Sequence, residues 1–268
     1  MSLSIQSNED ILTRLTMILW GESKAGKTTY AMSAPGRKLI LNFDPDGYTS
    51  VMNRDDFDVI DLAQYTGKEC IENGKKAVAM IKNVHEKYDT VILDSLTTLT
   101  SQSLRCAIEN RIGSSNKFTP TLEVPGLSAW GARNTYTNDI VERLLRITAQ
   151  YKLHCILMAH TDDPEYDSDG KTAIRQTMML SGKIKNQACL RASEIWNLTS
   201  SNTGRKIYTA PHGIRAPMGS RIFDTEKVKS FILKYDPNKP DIEQESSIAT
   251  LFNKWSNNGK SRLTVAPN

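Results

Sequence analysis

No stretch of this chain restricts its fold more than residues 15–29, LTMILWGESKAGKTT. A β-prone run at 15–20 leads directly into Gly21-Glu22-Ser23-Lys24-Ala25-Gly26-Lys27-Thr28-Thr29, a full match to GxxxxGK[ST], and a helical pattern over 27–34 follows. Strand, glycine-rich turn and helix in that order make an anion cradle. The glycines let backbone N–H groups converge on a phosphate chain, and the partial positive charge of the helix start favours it. Lys27 is placed to reach the β- and γ-phosphates, and the Thr28 hydroxyl to ligate Mg²⁺. A chance glycine-rich turn is the bland alternative, and the flanking strand and helix argue against it.

The rest of the chain keeps the rhythm of βα units around a mostly parallel sheet, so the expected fold class is α/β. Further β-rich runs stand at 38–43, 57–62, 90–93 and 154–159, with helical patterns at 74–87, 96–110 and 128–150. EIWNLT (194–199) and RKIYTA (205–210) flank SSNTG and predict a β-hairpin, with Gly204 able to take positive φ. A helix over 242–255 and a flexible polar tail are expected to close the chain. Residues 113–126 and 161–182 lack any pattern, and loops of that length in a compact domain are usually functional or mobile. A length of 268 residues suits one large or two small domains. The apolar runs are too short to span a bilayer, which predicts no membrane association. The four cysteines, 36, 49 and 34 residues apart with no CxxC pair, speak against zinc or a disulfide scaffold and for a reducing, cytoplasmic setting.

A phosphate site of this kind needs a carboxylate to hold the metal, at the end of a buried neighbouring strand. DTVILDS (89–95) offers Asp94 in that role, a Walker B residue 67 positions after Lys27. Hydrolysis also needs a group that polarises water. The second strand ends in Asp44-Pro45-Asp46-Gly47, so either carboxylate can be that base, unless the sequence is only a turn. His160 closes the strand HCILMAH and is placed to sense the γ-phosphate by hydrogen bonding, or to be an ordinary strand-end histidine.

Two other nucleotide-binding classes have to be weighed. Asn238-Lys239-Pro240-Asp241 matches the guanine motif NKxD, and residues 44–47 match DxxG. The latter begins 17 residues after Lys27, too soon for a switch loop, so both matches read as accidental. A nucleotide kinase stays open, because a basic segment can form a lid over a second phosphate substrate.

In this order, GESKAGKTT, LNFDPDG, TVILDS and ILMAH resemble the RecA-like ATPases, specifically the small phage-type proteins of the AAA-domain nucleotide-binding and single-strand annealing group. The resemblance covers residues 14–222 and implies a RecA-like core over 14–235, after an N-terminal segment (1–13) and before a C-terminal helix and tail (236–268). The place of the family's water-activating Glu is held by Asp46, one methylene shorter, with Asp44 as the alternative. His160 stands where RecA itself has a Gln. The family's sites lie between subunits of a homo-oligomer, ring or filament, which makes Arg215 and Arg221 the candidates for a cation supplied in trans. The family's DNA-entering loops correspond to residues 113–126 and 161–182.

Charge supports a polyanion partner. Residues 171–221 hold nine Lys or Arg against Glu194 alone, a net +8 in a chain whose total is +4. Arg175, Lys183 and Lys185 are the preferred contacts to single-stranded DNA phosphates, and Phe118 and Trp130 are candidates to stack on bases, Trp130 fitting a core position better. The acidic run 161–169 is expected to lie away from the DNA path. The reading is therefore an ATP-hydrolysing protein acting on single-stranded DNA in phage recombination or annealing, in the host cytoplasm if phage-encoded, with a single-strand-binding protein as a further partner. The alternatives are a DNA motor (helicase or packaging ATPase) and a nucleotide-gated DNA-binding regulator with little turnover.

Overall fold

The computed structural model describes residues 14–115, 118–180, 182–202 and 204–267. The expected N-terminal segment, 1–13, lies outside them. In chain order the elements are β1 (Thr16–Gly21), α1 (Lys27–Ala31), β2 (Lys38–Asn42), β3 (Phe57–Asp61), α2 (Gly67–Val84), β4 (Thr90–Asp94), α3 (Leu96–Glu109), α4 (Gly126–Gln150), β5 (His154–His160), β6 (Glu165–Tyr166), β7 (Ala173–Arg175), α5 (Gly182–Arg191), β8 (Glu194–Ser201), β9 (Gly204–Tyr208), β10 (Ser230–Ile232) and α6 (Ile248–Asn257). Eight strands form one sheet in the order β10-β9-β8-β1-β5-β4-β2-β3, parallel from β8 to β3, with β9 and β10 antiparallel at one edge. The α/β expectation holds.

The strands are near-continuously apolar because both faces of the sheet are covered. Side chains alternate across it, so Ile18 and Trp20 join a core under α2, α3, α4 and α5, while Met17 and Leu19 join a second core with α1, α6 and the rings of Trp196, Phe223 and Phe231. Each such fully buried side chain contributes ~1.5–3 kcal/mol by leaving water.

Several expectations change. Helix α2 starts at Gly67, seven residues before the expected position, and continues through Gly74. There glycine serves packing: a Cβ would lie 3.2 Å from Ile140 Cδ1 and 3.3 Å from Phe43 Cζ. The stretch 161–182 is not patternless, since β6 and β7 pair as a short antiparallel ribbon. The tail beyond α6 is tied down rather than flexible, with Leu263 N–H donating to Ile222 O at 2.7 Å and Asp224 N–H to Leu263 O at 2.9 Å. Helix α6 docks on the back of α1, where Tyr30 Oη donates to Ser246 O at 3.0 Å and Ile248 N–H to Ser33 Oγ at 3.0 Å. Trp130 is exposed on α4 instead of buried, its ring 4.3 Å from the Arg133 guanidinium carbon. Among the described residues no helix is long and apolar enough to cross a membrane.

Candidate nucleotide-binding site

Parallel topology brings the C-terminal ends of β1, β2, β4 and β5 to one edge. Gly21 is registered with His160, and Asn42 with Asp94. The loop after β1 needs its glycines. A Cβ on Gly21 would sit 2.2 Å from Leu198 O on β8, and Gly26 has φ +98°. Lys24 also takes a left-handed backbone, φ 62°. Lys27 is folded onto its own loop, its Nζ donating to Gly21 O at 3.0 Å and Glu22 O at 2.8 Å. Burial lowers its pKa, against the opposing pull of Asp94, Asp44 and Glu22.

Behind Lys27 lies a connected polar set. Thr28 Oγ1 donates to Asp94 Oδ2 at 2.9 Å. Lys27 Nζ is 3.3 Å from His160 Nδ1, and His160 Nε2 is 3.1 Å from Asp44 Oδ2. With Lys27 as donor, Nδ1 accepts and Nε2–H donates to the carboxylate, one tautomer serving both contacts. Ser95 Oγ donates to Asp44 Oδ1 at 3.1 Å and, as the cap of α3, accepts from Thr98 N–H at 3.3 Å. The two carboxylates differ in state. Burial, reinforced by the charge of Asp44, pushes Asp94 up to about 7. For Asp44 burial acts upward too, but hydrogen bonds from His160, Thr98 and Ser95 outweigh it and hold the group below the usual range. Lys27, Thr28, Asp44, Asp94 and His160, with Ser23, Lys24, Gly26, Thr29 and residues of the turn after Asp44, line a cavity of 470 Å³.

A family model for an AAA domain matches residues 13–228. The chain belongs to the AAA-domain family. No curated protein matches it. An AAA domain is a P-loop ATPase module, so nucleotide binding with ATPase activity is the function class of this chain.

In this AAA domain the residues fit the magnesium ion that accompanies a nucleotide. Thr28 and Asp94 offer hard oxygen donors side by side, and no group of three or more His, Cys, Asp or Glu among the described residues can hold a metal alone. Mg²⁺ characteristically takes one or two protein oxygens and completes its shell with phosphates and water.

Not every residue singled out from sequence joins the site. Asp44 is inside the network, whereas Asp46, favoured above, is exposed with φ 55° and uses its backbone carbonyl to cap the turn through Thr49. Arg215, expected to face a neighbouring subunit, is tied within its own: Nε donates to Gln176 Oε1 at 2.9 Å, and Nη2 lies 3.5 Å from Glu22 Oε1 of the phosphate loop. Arg221 is exposed near the opposite edge of the sheet, its backbone N–H held by Glu194 at the start of β8. Arg175 faces Glu165 across β6–β7 at 3.9 Å, which sets this part of the acidic run against one of the basic residues. Lys183 is exposed and Lys185 half-buried on α5. Phe118 is partly exposed in the loop before α4. The NKPD residues sit near the start of β2, away from the phosphate loop, with Asp241 paired to Lys38 and Arg54, which leaves no carboxylate free to read guanine. Sequence reasoning missed Arg205, whose side chain reaches the rim of the cavity, and Thr97, whose Oγ1 fixes the end of β5 by accepting from His160 N–H at 3.0 Å. Both signals depend on which strands are neighbours.

Proposed function

We propose that this AAA-domain protein is a RecA-like ATPase that hydrolyses ATP while acting on single-stranded DNA, in phage recombination or annealing. The observation that carries the ATPase reading is the junction of Lys27, Thr28, Asp94, His160 and Asp44 at one sheet edge. The strand order β3-β2-β4-β5-β1-β8, followed by an antiparallel hairpin, supports the RecA-like form.

In this mechanism the loop N–H groups hold the phosphate chain, and Lys27 exchanges the Gly21 and Glu22 carbonyls for β- and γ-phosphate oxygens. Thr28 and Asp94 would hold Mg²⁺, which would neutralise phosphate charge. Asp44, ionised and fixed by Ser95 and His160, orients a water and accepts its proton as the new O–P bond forms and the bond to the β-phosphate oxygen breaks. His160 lies between Asp44 and Lys27, so it links the water-activating group to the phosphate-binding one.

The DNA reading rests on the basic segment, with Lys183, Lys185 and Arg175 as phosphate contacts. Arg221, on the surface away from its own phosphate loop, is the residue suited to reach a neighbour's site in a ring or filament. The test is ATP turnover with and without single-stranded DNA, with mass measured by light scattering. Stimulation by DNA in an assembled form is expected. Binding should weaken with salt at a log-log slope of roughly −0.7 per contact, reduced in Lys183→Ala/Lys185→Ala. Turnover indifferent to DNA, with no binding at low salt, would remove the DNA assignment and leave the ATPase one.

A further inference from the structure

The β8–β9 hairpin lays an arginine over the phosphate loop of its own chain. Arg205 pairs with Ser200 of β8, and its carbonyl accepts from Leu233 N–H at 2.9 Å, which holds its backbone from both sides. Strand β8 is in turn paired with β1, whose last residue, Gly21, opens the loop. From there the side chain reaches Gly26. A Cβ built on Gly26 would lie 3.0 Å from Arg205 Cζ and Nε, and 3.4 Å from Nη1. The guanidinium thus fills the space a side chain at Gly26 would take and lines the same cavity as Lys27, Thr28, Asp44 and Asp94.

Three other arginines of the basic segment are engaged, while the Arg205 side chain, like that of Arg221, is not paired among the described residues. Arg215 is held by Gln176 and Glu22, Arg175 by Glu165 and Arg191 by Glu142. Among the described residues no hydrogen bond or ion pair is made by the Arg205 side chain, although Lys27 and three carboxylates line the same cavity. A planar fork of five donors poised over an anion-binding backbone is matched to phosphate oxygens, which it grips with charge-assisted, often bidentate hydrogen bonds. In GxxxxGK[ST] loops the backbone around the second glycine cradles the α- and β-phosphates, whereas the lysine reaches further along the chain.

We propose that Arg205 is a phosphate-binding residue acting in cis, closing over the α/β-diphosphate of a nucleotide held by the loop of its own subunit. The proposal rests on the ATPase reading and adds a side chain to it. Because the contact is to the part that ADP and ATP share, loss of Arg205 weakens both. Lys206, the next residue, faces the other way with its Nζ 5.2 Å from the centre of the Tyr208 ring, and provides a control.

The experiment is calorimetric titration of the full chain with Mg·ADP and with a non-hydrolysable Mg·ATP analogue. Arg205→Ala should bind both about 10- to 100-fold more weakly, the range of one lost charge-assisted hydrogen-bond pair. Arg205→Lys should recover part of the loss, and Lys206→Ala should match the wild type. Arg205 is exposed, so the variants keep the fold, and circular dichroism verifies this. Mixing Arg205→Ala with Lys27→Ala should not restore turnover, since each protein then lacks part of its own site. Wild-type ADP affinity in Arg205→Ala would overturn the proposal. Restored turnover in the mixture would overturn it in favour of action in trans. Absence of nucleotide binding by the wild type would instead remove the ATPase reading beneath it.

Discussion

The two edges of the central sheet use the same kinds of charged residue and leave them in opposite conditions. Near the start of β2, Lys38 lies 2.5 Å from Asp56 and 3.5 Å from Asp241, and Arg54 reaches the same two carboxylates at 2.7 and 2.8 Å. Tyr235 Oη adds a hydrogen bond to Asp241 at 2.7 Å. Two cations and two anions close on one another. Although burial acts to raise Asp56, its bonds to Arg54 and Lys38 hold it down at about 2. At the other edge Lys27 bonds to backbone carbonyls, Asp94 is raised instead of lowered, and the Arg205 side chain has no partner among the described residues. Charges that satisfy one another stabilise the fold. Charges held apart by the backbone await a charged ligand, which is why the second edge reads as a site and the first does not.

The sharpest way to break that contrast is to remove Lys27. Lys27→Ala should lower ATP turnover by ~10²–10³-fold or more, the weight of one preorganised electrostatic donor, with nucleotide affinity falling alongside it. Urea denaturation should show stability undiminished, because a buried cation without a carboxylate salt bridge has been deleted. A large stability loss with nucleotide binding intact would make Lys27 structural and erase the difference between the edges.

Asp44 and Asp46 sharpen the comparison within the site itself. Asp44→Asn should retain ATP binding and reduce turnover by ~10²-fold, the usual share of a general base. Asp46→Asn should leave both close to wild type. Single-turnover hydrolysis separates binding from chemistry, and the reverse ranking would return the role to Asp46.

The closed edge should respond in stability alone. Asp241→Ala leaves Lys38, 2% exposed, and Arg54 sharing one carboxylate, and should cost ~3–5 kcal/mol, as breaking a buried pair does. ADP affinity measured well below the unfolding midpoint should not change. If it does, the two edges are coupled and the division fails.

A smaller effect tests the same edge through pH. His154 is buried at the start of β5 and accepts Leu15 N–H on Nδ1 at 3.0 Å, and burial lowers it to about 4. A histidine with depressed folded pKa contributes stability that is present above its unfolded value and lost as pH falls toward its folded one. Stability should therefore drop by up to ~3 kcal/mol between about pH 6.5 and 4. His154→Gln, which keeps an acceptor for Leu15, should flatten that part of the profile.

What the sequence determined by itself was local. GESKAGKTT announced strand, loop and helix because backbone freedom at glycine and one lysine's charge suffice for that geometry, and Asp94 followed because a buried strand ending in a carboxylate is a short-range pattern. The α/β class came from the same source, as runs of apolar residues between helical periods need no knowledge of partners. Tertiary structure decided everything that required knowing which strands are neighbours. It set His160 and Ser95 beside Asp44 and left Asp46 exposed in the turn. It turned Arg215 inward onto Glu22, set Arg175 against Glu165, brought Arg205 over Gly26 and spent Asp241 on Lys38 and Arg54. The physical reason is that a side chain's charge is written in the sequence, whereas its partner is selected by strand order and register, which place residues tens to nearly two hundred positions apart within hydrogen-bonding distance.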